Sequence, residues 1–323
     1  MKFYWLKYCL SFYKILNIIK LVIYFIAKKF GFNLKNFPNP YFLSIEITNF
    51  CNLNCPACTN GAGKLKREKG FMCFDLYKKI IDENKKTLIL IILHFQGEPF
   101  LHEDLTKFID YAKKNKIFTM FSTNANLSEN QILEIKTLPD KIIISLDGIT
   151  QETYQKYRIN GDINNVLSFL DFLKRKKNED NFVSELQFIV FNHNQHEIKN
   201  LKFLKKKYLI DKLILKSAQI YNNQQIELLP KDIKYSRYKI KNGVFELKKS
   251  IKNSCKRVIF GNVITWNGDV VPCCFDKNAQ FVFGNIQKEN LKNIRNSEKY
   301  YNFVKQIFNQ KIDIKICRNC TEN

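Results

Sequence analysis

With 323 residues and 45% hydrophobic content, the chain suffices for one large domain plus a small one. It is apolar enough to bury a sizeable core, which excludes a disordered chain or a small fold dependent on disulfides. Lys and Arg total 53 against 30 Asp and Glu, a formal net charge of +23. That balance admits nucleic acid, an anionic membrane surface or an acidic substrate as partner, or simply a lysine-biased, solvated surface. No RNA-binding motif with interleaved aromatics stands out. Beyond the first 45 residues the basic side chains fall in short clusters such as Lys205 to Lys207, which read as exposed helix faces, so no nucleic acid is expected.

No acidic residue precedes Glu46, and residues 1–30 are apolar and aromatic, punctuated by lysines. At about 100° per residue, Lys7, Lys14, Asn17, Lys20 and Lys28 share one half of a helix. Trp5, Tyr8, Phe12, Ile15, Leu16, Ile19, Ile23 and Ile26 share the other. A span needs about 20 apolar residues, and the best window, 8–27, holds Lys14 and Lys20 near its middle. Each lysine costs roughly 2.5–3.5 kcal/mol there. The expectation is a helix lying in a membrane interface with its lysines toward the headgroups. A helix docked on protein and a true span are the other readings. No small-residue cleavage site marks a signal peptide, and Gly31 with Pro38-Asn39-Pro40 ends the segment.

From residue 41 onward, apolar runs alternate with amphipathic ones. Strands are predicted at 42–48, 87–95, 117–122, 141–146, 185–191 and 212–215. Helices are predicted at 75–83, 105–115, 129–136, 163–176 and 197–207. Continuous apolar strands with helical crossovers predict a parallel sheet. Six of them fit an α/β fold of the partial (β/α)6 TIM-type barrel kind, whose chemistry collects at the C-terminal strand ends.

The first strand runs into Cys51, Cys55 and Cys58, spaced C-x-x-x-C-x-x-C. A structural zinc is closed by four ligands, and a 4Fe–4S cluster normally takes four cysteines. Three thiolates on one loop leave one iron open to a ligand that is not protein. A zinc knuckle completed from a distance and three unconnected core cysteines are the alternatives. Polar groups follow the next strands: Gln96-Gly97-Glu98-Pro99, Ser122-Thr123-Asn124, Ser145-Leu146-Asp147-Gly148 and Asn192-His193-Asn194-Gln195. Each strand end offers donors or acceptors to one cavity. His94 reads as a satisfied core histidine, and His102 as a residue near the cavity.

Ten cysteines are present, eight of them within 51–58 and 255–320, with Cys9 and Cys73 apart. In a chain this large the spacing reads as metal binding in a reducing compartment. After Cys255 comes a strand–turn–strand pattern with an Asn267-Gly268 hairpin turn, then Cys273-Cys274, Gly284-Asn285-Ile286 and a terminal Cys317-x-x-Cys320. Cys255, Cys273, Cys317 and Cys320 supply four thiolates, enough for a closed 4Fe–4S cluster or a zinc ion. Cys274 is the alternative to Cys273.

The cysteine loop and strand-end groups, over roughly residues 41–220, resemble the radical SAM enzymes. The tail resembles a shortened SPASM domain, the auxiliary 4Fe–4S module of many of them. Two departures show: Ala57 stands where the family usually has an aromatic, and Gln96 replaces the first glycine of Gly-Gly-Glu-Pro. The resemblance implies an S-adenosylmethionine (SAM)-binding 4Fe–4S cluster on Cys51, Cys55 and Cys58. It implies SAM contacts from Gly97 and Glu98 at the methionyl amino group, Ser122 and Asn124 on the ribose side, and Ser145 and Arg158 at the carboxylate. Asp147 is implied as a ribose- or substrate-side group. The full SPASM module holds two clusters; this tail has cysteines for one.

The expected organisation is an amphipathic basic helix and linker at 1–40, a barrel at 41–220, a connecting segment at 221–254 and an auxiliary-cluster domain at 255–323. The expected activity is reductive cleavage of SAM to a 5′-deoxyadenosyl radical that abstracts hydrogen from a peptide, protein or sugar-type small molecule. An electron donor such as flavodoxin or ferredoxin is implied, and no residue is assigned a catalytic role. With no leader-binding domain ahead of the barrel, an envelope-related or lipid-linked precursor gains ground over a ribosomal peptide. The expected location is the cytoplasm, peripheral on the inner membrane face where residues 1–30 touch lipid. The alternative is a non-catalytic iron–sulfur or zinc protein docking on a membrane or nucleic acid.

Overall fold

The computed structural model describes Tyr8 and residues 11–321. Of the residues singled out above, Lys7, Trp5 and Cys9 lie outside this range. The chain opens with helix α1 (Phe12–Lys29). Six parallel strands follow, β1 (Phe42–Ile45), β2 (Leu90–Ile92), β3 (Phe118–Thr123), β4 (Lys141–Ser145), β5 (Val183–Val190) and β6 (Lys212–Ser217), side by side in chain order. Helices α2 (Phe74–Asn84), α3 (Leu105–Lys114), α4 (Glu129–Leu133), α5 (Gln151–Gln155), α6 (Ile163–Lys176) and α7 (Leu201–Lys207) form the crossovers. This is the expected α/β partial barrel, and each predicted strand and helix falls on an observed one. The last crossover begins as a 3-10 turn, Gln195–Asn200.

Local chemistry explains the boundaries. Ser128 and Gln131 form a capping box on α4, satisfying backbone donors that helix geometry leaves unpaired. Asp162 caps α6 through Asn164 N–H, and Lys174, Arg175 and Lys176 crowd its last turn, where cations offset the helix dipole. Leu43, Ile91, Phe121, Ile142, Ile144 and Leu186 share one face by register and are fully buried, as the face covered by the crossover helices requires.

The C-terminal segment joins the same sheet. After helix α8 (Lys256–Phe260), strand β9 (Gly261–Ile264) pairs parallel with β1, Leu43 opposite Asn262. Strand β10 (Asp269–Val271) returns antiparallel, β11 (Gly284–Asn285) completes a nine-stranded sheet, and helices α9 (Leu291–Arg295) and α10 (Glu298–Gln310) pack beyond. Gly268 holds φ +89° at the hairpin, as the Asn-Gly pair predicts. The connecting segment contributes a separate hairpin, β7 (Tyr238–Lys241) with β8 (Val244–Leu247).

Helix α1 docks on the protein through its lysine-bearing face. Lys14, Asn17, Leu21, Tyr24 and Lys28 are buried. Lys14 Nζ donates to Lys116 O at 2.7 Å, and Asn17 Nδ2 donates to Asn39 O at 2.8 Å. Lys28 Nζ lies 4.8 Å over the Tyr301 ring, a cation–π contact. Long lysine stems cover apolar surface while their ammonium groups reach a carbonyl at Lys14 and aromatic rings at Lys28, so a lysine-bearing stripe packs on protein. Phe12, Ile15, Ile19, Val22, Ile23 and Ile26 face outward, Phe12 at 72% exposure. Among the described residues no helix is long and apolar enough to cross a membrane, which corrects the spanning reading.

One buried ion pair ties the start of the sheet to the C-terminal segment. Glu46, with no exposed side-chain surface, receives both ends of the Arg67 guanidinium at 2.6 and 2.7 Å, and Arg67 Nε also donates to Lys277 O. Breaking a buried pair leaves an uncompensated charge. Arg67→Met is therefore expected to cost about 3–5 kcal/mol, and adding Glu46→Gln to recover most of it. Chemical denaturation of the two variants checks this; equal losses in both would show that packing, not charge, is lost.

Candidate active site

Parallel strands place all their C-terminal ends on one edge, so the loops after β1, β2, β3 and β4 meet there. The cysteine loop is fixed largely by asparagines. Asn49 Nδ2 donates to Glu68 O, Asn60 Nδ2 to Asn49 O, and Asn52 Nδ2 to Asn126 O, at 2.7–3.0 Å. Leu53 is buried beneath it.

The Gly-Glu-Pro turn presses on this loop. Gly97 holds φ +86°, and a Cβ there would meet Phe50 O at 2.6 Å, so only glycine allows the approach. The Glu98 N–H donates to Phe50 O at 2.8 Å. Its carboxylate turns inward, accepting from Thr123 Oγ1 at 2.7 Å, Asn124 N at 2.7 Å and Phe100 N at 3.3 Å. Glu98 thus holds the β2 and β3 loops together. Burial raises its pKa to about 7, against the opposing pull of those donors.

Two donors from neighbouring strand ends point at the thiols. Asn124 Nδ2 lies 3.8 Å from Cys51 Sγ and donates to Asn52 Oδ1 at 2.8 Å. Arg158 Nη1 lies 3.8 Å from Cys55 Sγ. Arg158 is held by Asp147, Nε to Oδ2 at 2.8 Å, and the other Asp147 oxygen accepts from Ile189 N. Asp147 has no exposed side-chain surface, so it anchors Arg158 rather than facing a ligand. Ser122 and Ser145 hydroxyls are 3.0 Å apart. The structure therefore gathers Cys51, Asn124, Glu98 and Gly97 into one network and Cys55 with Arg158 into another, while Ser122 and Ser145 pair one strand further along.

The thiols suit an iron–sulfur centre. Burial pushes Cys51 up to about 11, and Glu98, Cys55 and Cys58 add to the rise. Burial also raises Cys55, opposed by Arg158. Crowded, desolvated sulfurs with N–H donors aimed at them gain nothing as free thiols, but they are what a cluster with tuned sulfurs needs. Among the described residues no three His, Cys, Asp or Glu side chains converge closely enough to hold a single metal ion.

The second cysteine group also assembles. Cys255, Cys273, Cys317 and Cys320 line one small cavity, with Arg257 and Lys311. Burial and the neighbouring thiols raise Cys273, and likewise Cys317. Cys274 instead faces a cavity of about 270 Å³ on the inner face of the barrel, with Ser44, His94, Asn262 and Arg257. His94 Nδ1 accepts from Ser122 N, which leaves the ring neutral, and burial lowers its pKa to about 4. His102 bonds Met72 O and Asp104 N and belongs to the core, not the cavity.

Sequence reasoning missed two features. Segment 221–254 packs against the cysteine loop through Leu229 and Tyr238, and its short polar runs carried no periodicity to show it. Trp266 lies against Gly70 and donates to Glu68 O at 3.1 Å. Glu46 inside an apolar run was the one available signal that a partner cation lay nearby.

Residues 45–204 match the radical SAM superfamily, and residues 255–321 match SPASM, an iron–sulfur cluster-binding domain. The chain belongs to the radical SAM superfamily and carries a SPASM domain, which implies a 4Fe–4S cluster, SAM and further iron–sulfur binding. It is 27% identical over 171 residues to the mycofactocin maturase MftC of Mycobacterium ulcerans, covering 52% of this chain and 45% of that protein. It is 25% identical over 294 residues to the tungsten-containing aldehyde ferredoxin oxidoreductase cofactor-modifying protein of Pyrococcus furiosus, covering 80% and 82%. The match thus spans less than half the length of the mycofactocin maturases. Among solved structures, Streptococcus suis SuiB bound to S-adenosylmethionine superposes with TM-score 0.65 at 15% identity, over 92% of this chain and 75% of that one, a likeness of fold.

The Glu98 environment fixes a pH dependence. With its folded pKa near 7, above the ordinary 4.5, folded protein holds a proton that unfolded protein has released between those values. Its contribution to stability is therefore present at low pH and lost as pH rises through 7. Relative to Glu98→Gln, the wild type should lose up to roughly 3 kcal/mol between about pH 5 and pH 8. Urea midpoints of both proteins across that range check it, and parallel curves would place Glu98 ionised throughout.

Proposed function

We propose that this chain is a SAM-cleaving enzyme whose reaction chamber is the cavity on the inner face of the barrel, with Cys51, Cys55 and Cys58 as ligands of the SAM cluster. When bound, the cluster and SAM supply a 5′-deoxyadenosyl radical that removes a hydrogen atom from the substrate. The protein's part is placement. Glu98 holds the Gly97 backbone against the cysteine loop, where a backbone carbonyl would accept from the methionyl amino group. Arg158, fixed by Asp147, offers its remaining donors to the carboxylate beside Ser145, since a guanidinium fork suits carboxylate. Ser122 and Asn124 serve the ribose side. The observation that carries this reading is the pair of N–H donors, from Asn124 and Arg158, at 3.8 Å from two thiols of one three-cysteine loop.

Cys255, Cys273, Cys317 and Cys320 hold the auxiliary 4Fe–4S cluster. Cys273 is preferred to Cys274 because it shares the small cavity with the other three, whereas Cys274 does not. Cluster thiolates bind different irons, so they need not converge on one point as zinc ligands do. An electron donor such as flavodoxin or ferredoxin serves the clusters in the cytoplasm. The substrate is a peptide, protein or sugar-type molecule; MftC is named as a maturase, and SuiB has been solved with its precursor peptide SuiA.

Anaerobically reconstituted wild type, given SAM and dithionite, is expected to form 5′-deoxyadenosine, and Cys58→Ala to fall to background. An iron-replete wild type that forms none, with peptide and sugar substrates supplied, would leave a non-catalytic iron–sulfur protein as the better reading.

The outer face of α1 is the membrane-contact surface. Phe12, Ile19, Ile23, Ile26 and Phe30 are exposed together, with Lys20 and Lys29 also exposed and no acidic residue before Glu46. Apolar insertion flanked by cations is the pattern of an interfacial helix on anionic lipid. Wild type should co-float with phosphatidylglycerol vesicles, less so at high salt, and Ile23→Glu should not. A wild type that stays in solution would remove the membrane from this account.

A further inference from the structure

An apolar cavity of about 610 Å³ lies at the opposite end of the barrel from the cysteine loop. Its walls are Val22 and Phe25 of α1, Phe42 and Leu90 at the N-terminal ends of β1 and β2, Ile92, and Phe260 of α8. That volume lies within the roughly 300–1,000 Å³ of sites that enclose a small-molecule ligand. The cations on its lining are Lys256 and Arg257, and no carboxylate is among the lining residues.

The cavity adjoins the reaction chamber. Phe42, Ile92 and Arg257 line both, and Arg257 also lines the cavity of the four C-terminal cysteines. On the other side, Val22 belongs both to the cavity wall and to the exposed apolar face of α1. The apolar cavity therefore borders the outer face of α1 on one side and, across Phe42, Ile92 and Arg257, the chamber on the other.

We propose that the substrate is an anionic amphiphile, its single long hydrocarbon chain in the cavity under α1 and its anionic head at Arg257, facing the chamber. The inference rests on the SAM-cleaving reading and narrows its substrate to a head group carried on a lipid chain. A peptide fits the cavity less well. An extended peptide brings backbone N–H and C=O groups that must be paired when buried, and apart from Tyr41, Lys256 and Arg257 the lining side chains are hydrocarbon. A methylene chain brings none. An anionic head finds Lys256 and Arg257 where the apolar wall ends.

The test is equilibrium binding of cis-parinaric acid, a fluorescent long-chain carboxylate, to the reconstituted full-length protein below the probe's micelle concentration, with dodecyl phosphate as competitor. Saturable binding of one probe per chain, displaced by dodecyl phosphate, is expected. Leu90→Trp, which fills the cavity, should weaken it tenfold or more, and Arg257→Gln should weaken both ligands. Should Leu90→Trp fail to fold, Val22→Trp narrows the cavity from an exposed helix position. Ile23→Glu changes only the outer face of α1 and should keep its affinity for the monomeric probe while losing vesicles. Binding that is unsaturable, that Leu90→Trp and Val22→Trp leave unchanged, or that yields to an apolar hexapeptide but not to dodecyl phosphate overturns the proposal. Measured on the same preparations, 5′-deoxyadenosine separates the two readings. Cleavage without probe binding removes the lipid site alone, and Cys58→Ala should lose cleavage yet bind probe normally.

Discussion

Glu98 joins three strand ends, by its backbone amide and its carboxylate. It sits in a turn whose amide is bonded to the loop after β1, and it accepts from the backbone and hydroxyl of the loop after β3. The cysteine loop has little regular structure of its own, so its position depends on what borders it. Gly97 lets the turn approach within van der Waals limits that any Cβ would violate, and Glu98 then fixes the distance. A carboxylate accepting three donors from two directions is directional in a way that apolar packing is not. Asn124 inherits this precision: its backbone is held by Glu98, and its side chain reaches Cys51.

Two buried ion pairs extend the same logic. Buried pairs seldom add net stability, because desolvation offsets their attraction. What they provide here is position. Asp147 and Arg158 carry a cation to Cys55, where sulfur negative charge collects once a metal is bound. Glu46 and Arg67 pull the segment after the cysteine loop against residues 266–278, so the two cysteine-bearing regions share one sheet and one ion pair. The aromatic missing at Ala57 leaves that side of the loop to segment 221–254, which packs on it.

Much of this was legible in the sequence because its signals are local. Apolar runs of strand length, cysteine spacing and an Asn-Gly turn each report on a few neighbouring residues, and the strands and the turn fall on the matching elements. The docking of β9 on β1 was not legible, since Gly261 to Ile264 reads as any short buried strand and nothing local names its partner. Nor was the direction of α1. Periodicity separates two faces of a helix without saying which meets the protein. The usual assumption buries the apolar one, and it fails here because Lys14, Asn17 and Lys28 find carbonyls and aromatic rings at the right distance. The strand-end serines were found by position alone, and their side-chain partners came only with the fold.

That inversion has an energetic consequence. Burying a large aliphatic or aromatic side chain is worth roughly 1.5–3 kcal/mol. A helix serving only to complete the fold would turn Ile15, Ile19, Ile23 and Ile26 inward and leave its lysines in water. Here the fold forgoes that burial and desolvates two ammonium groups instead. That forgone stabilisation stays available to whatever apolar surface covers the outer face of the helix. The outer face of α1 lies beside an apolar cavity that shares Phe42, Ile92 and Arg257 with the inner-face cavity. Arg257 lines that cavity, the inner-face cavity and the C-terminal cysteine cavity together, so a single guanidinium borders all three.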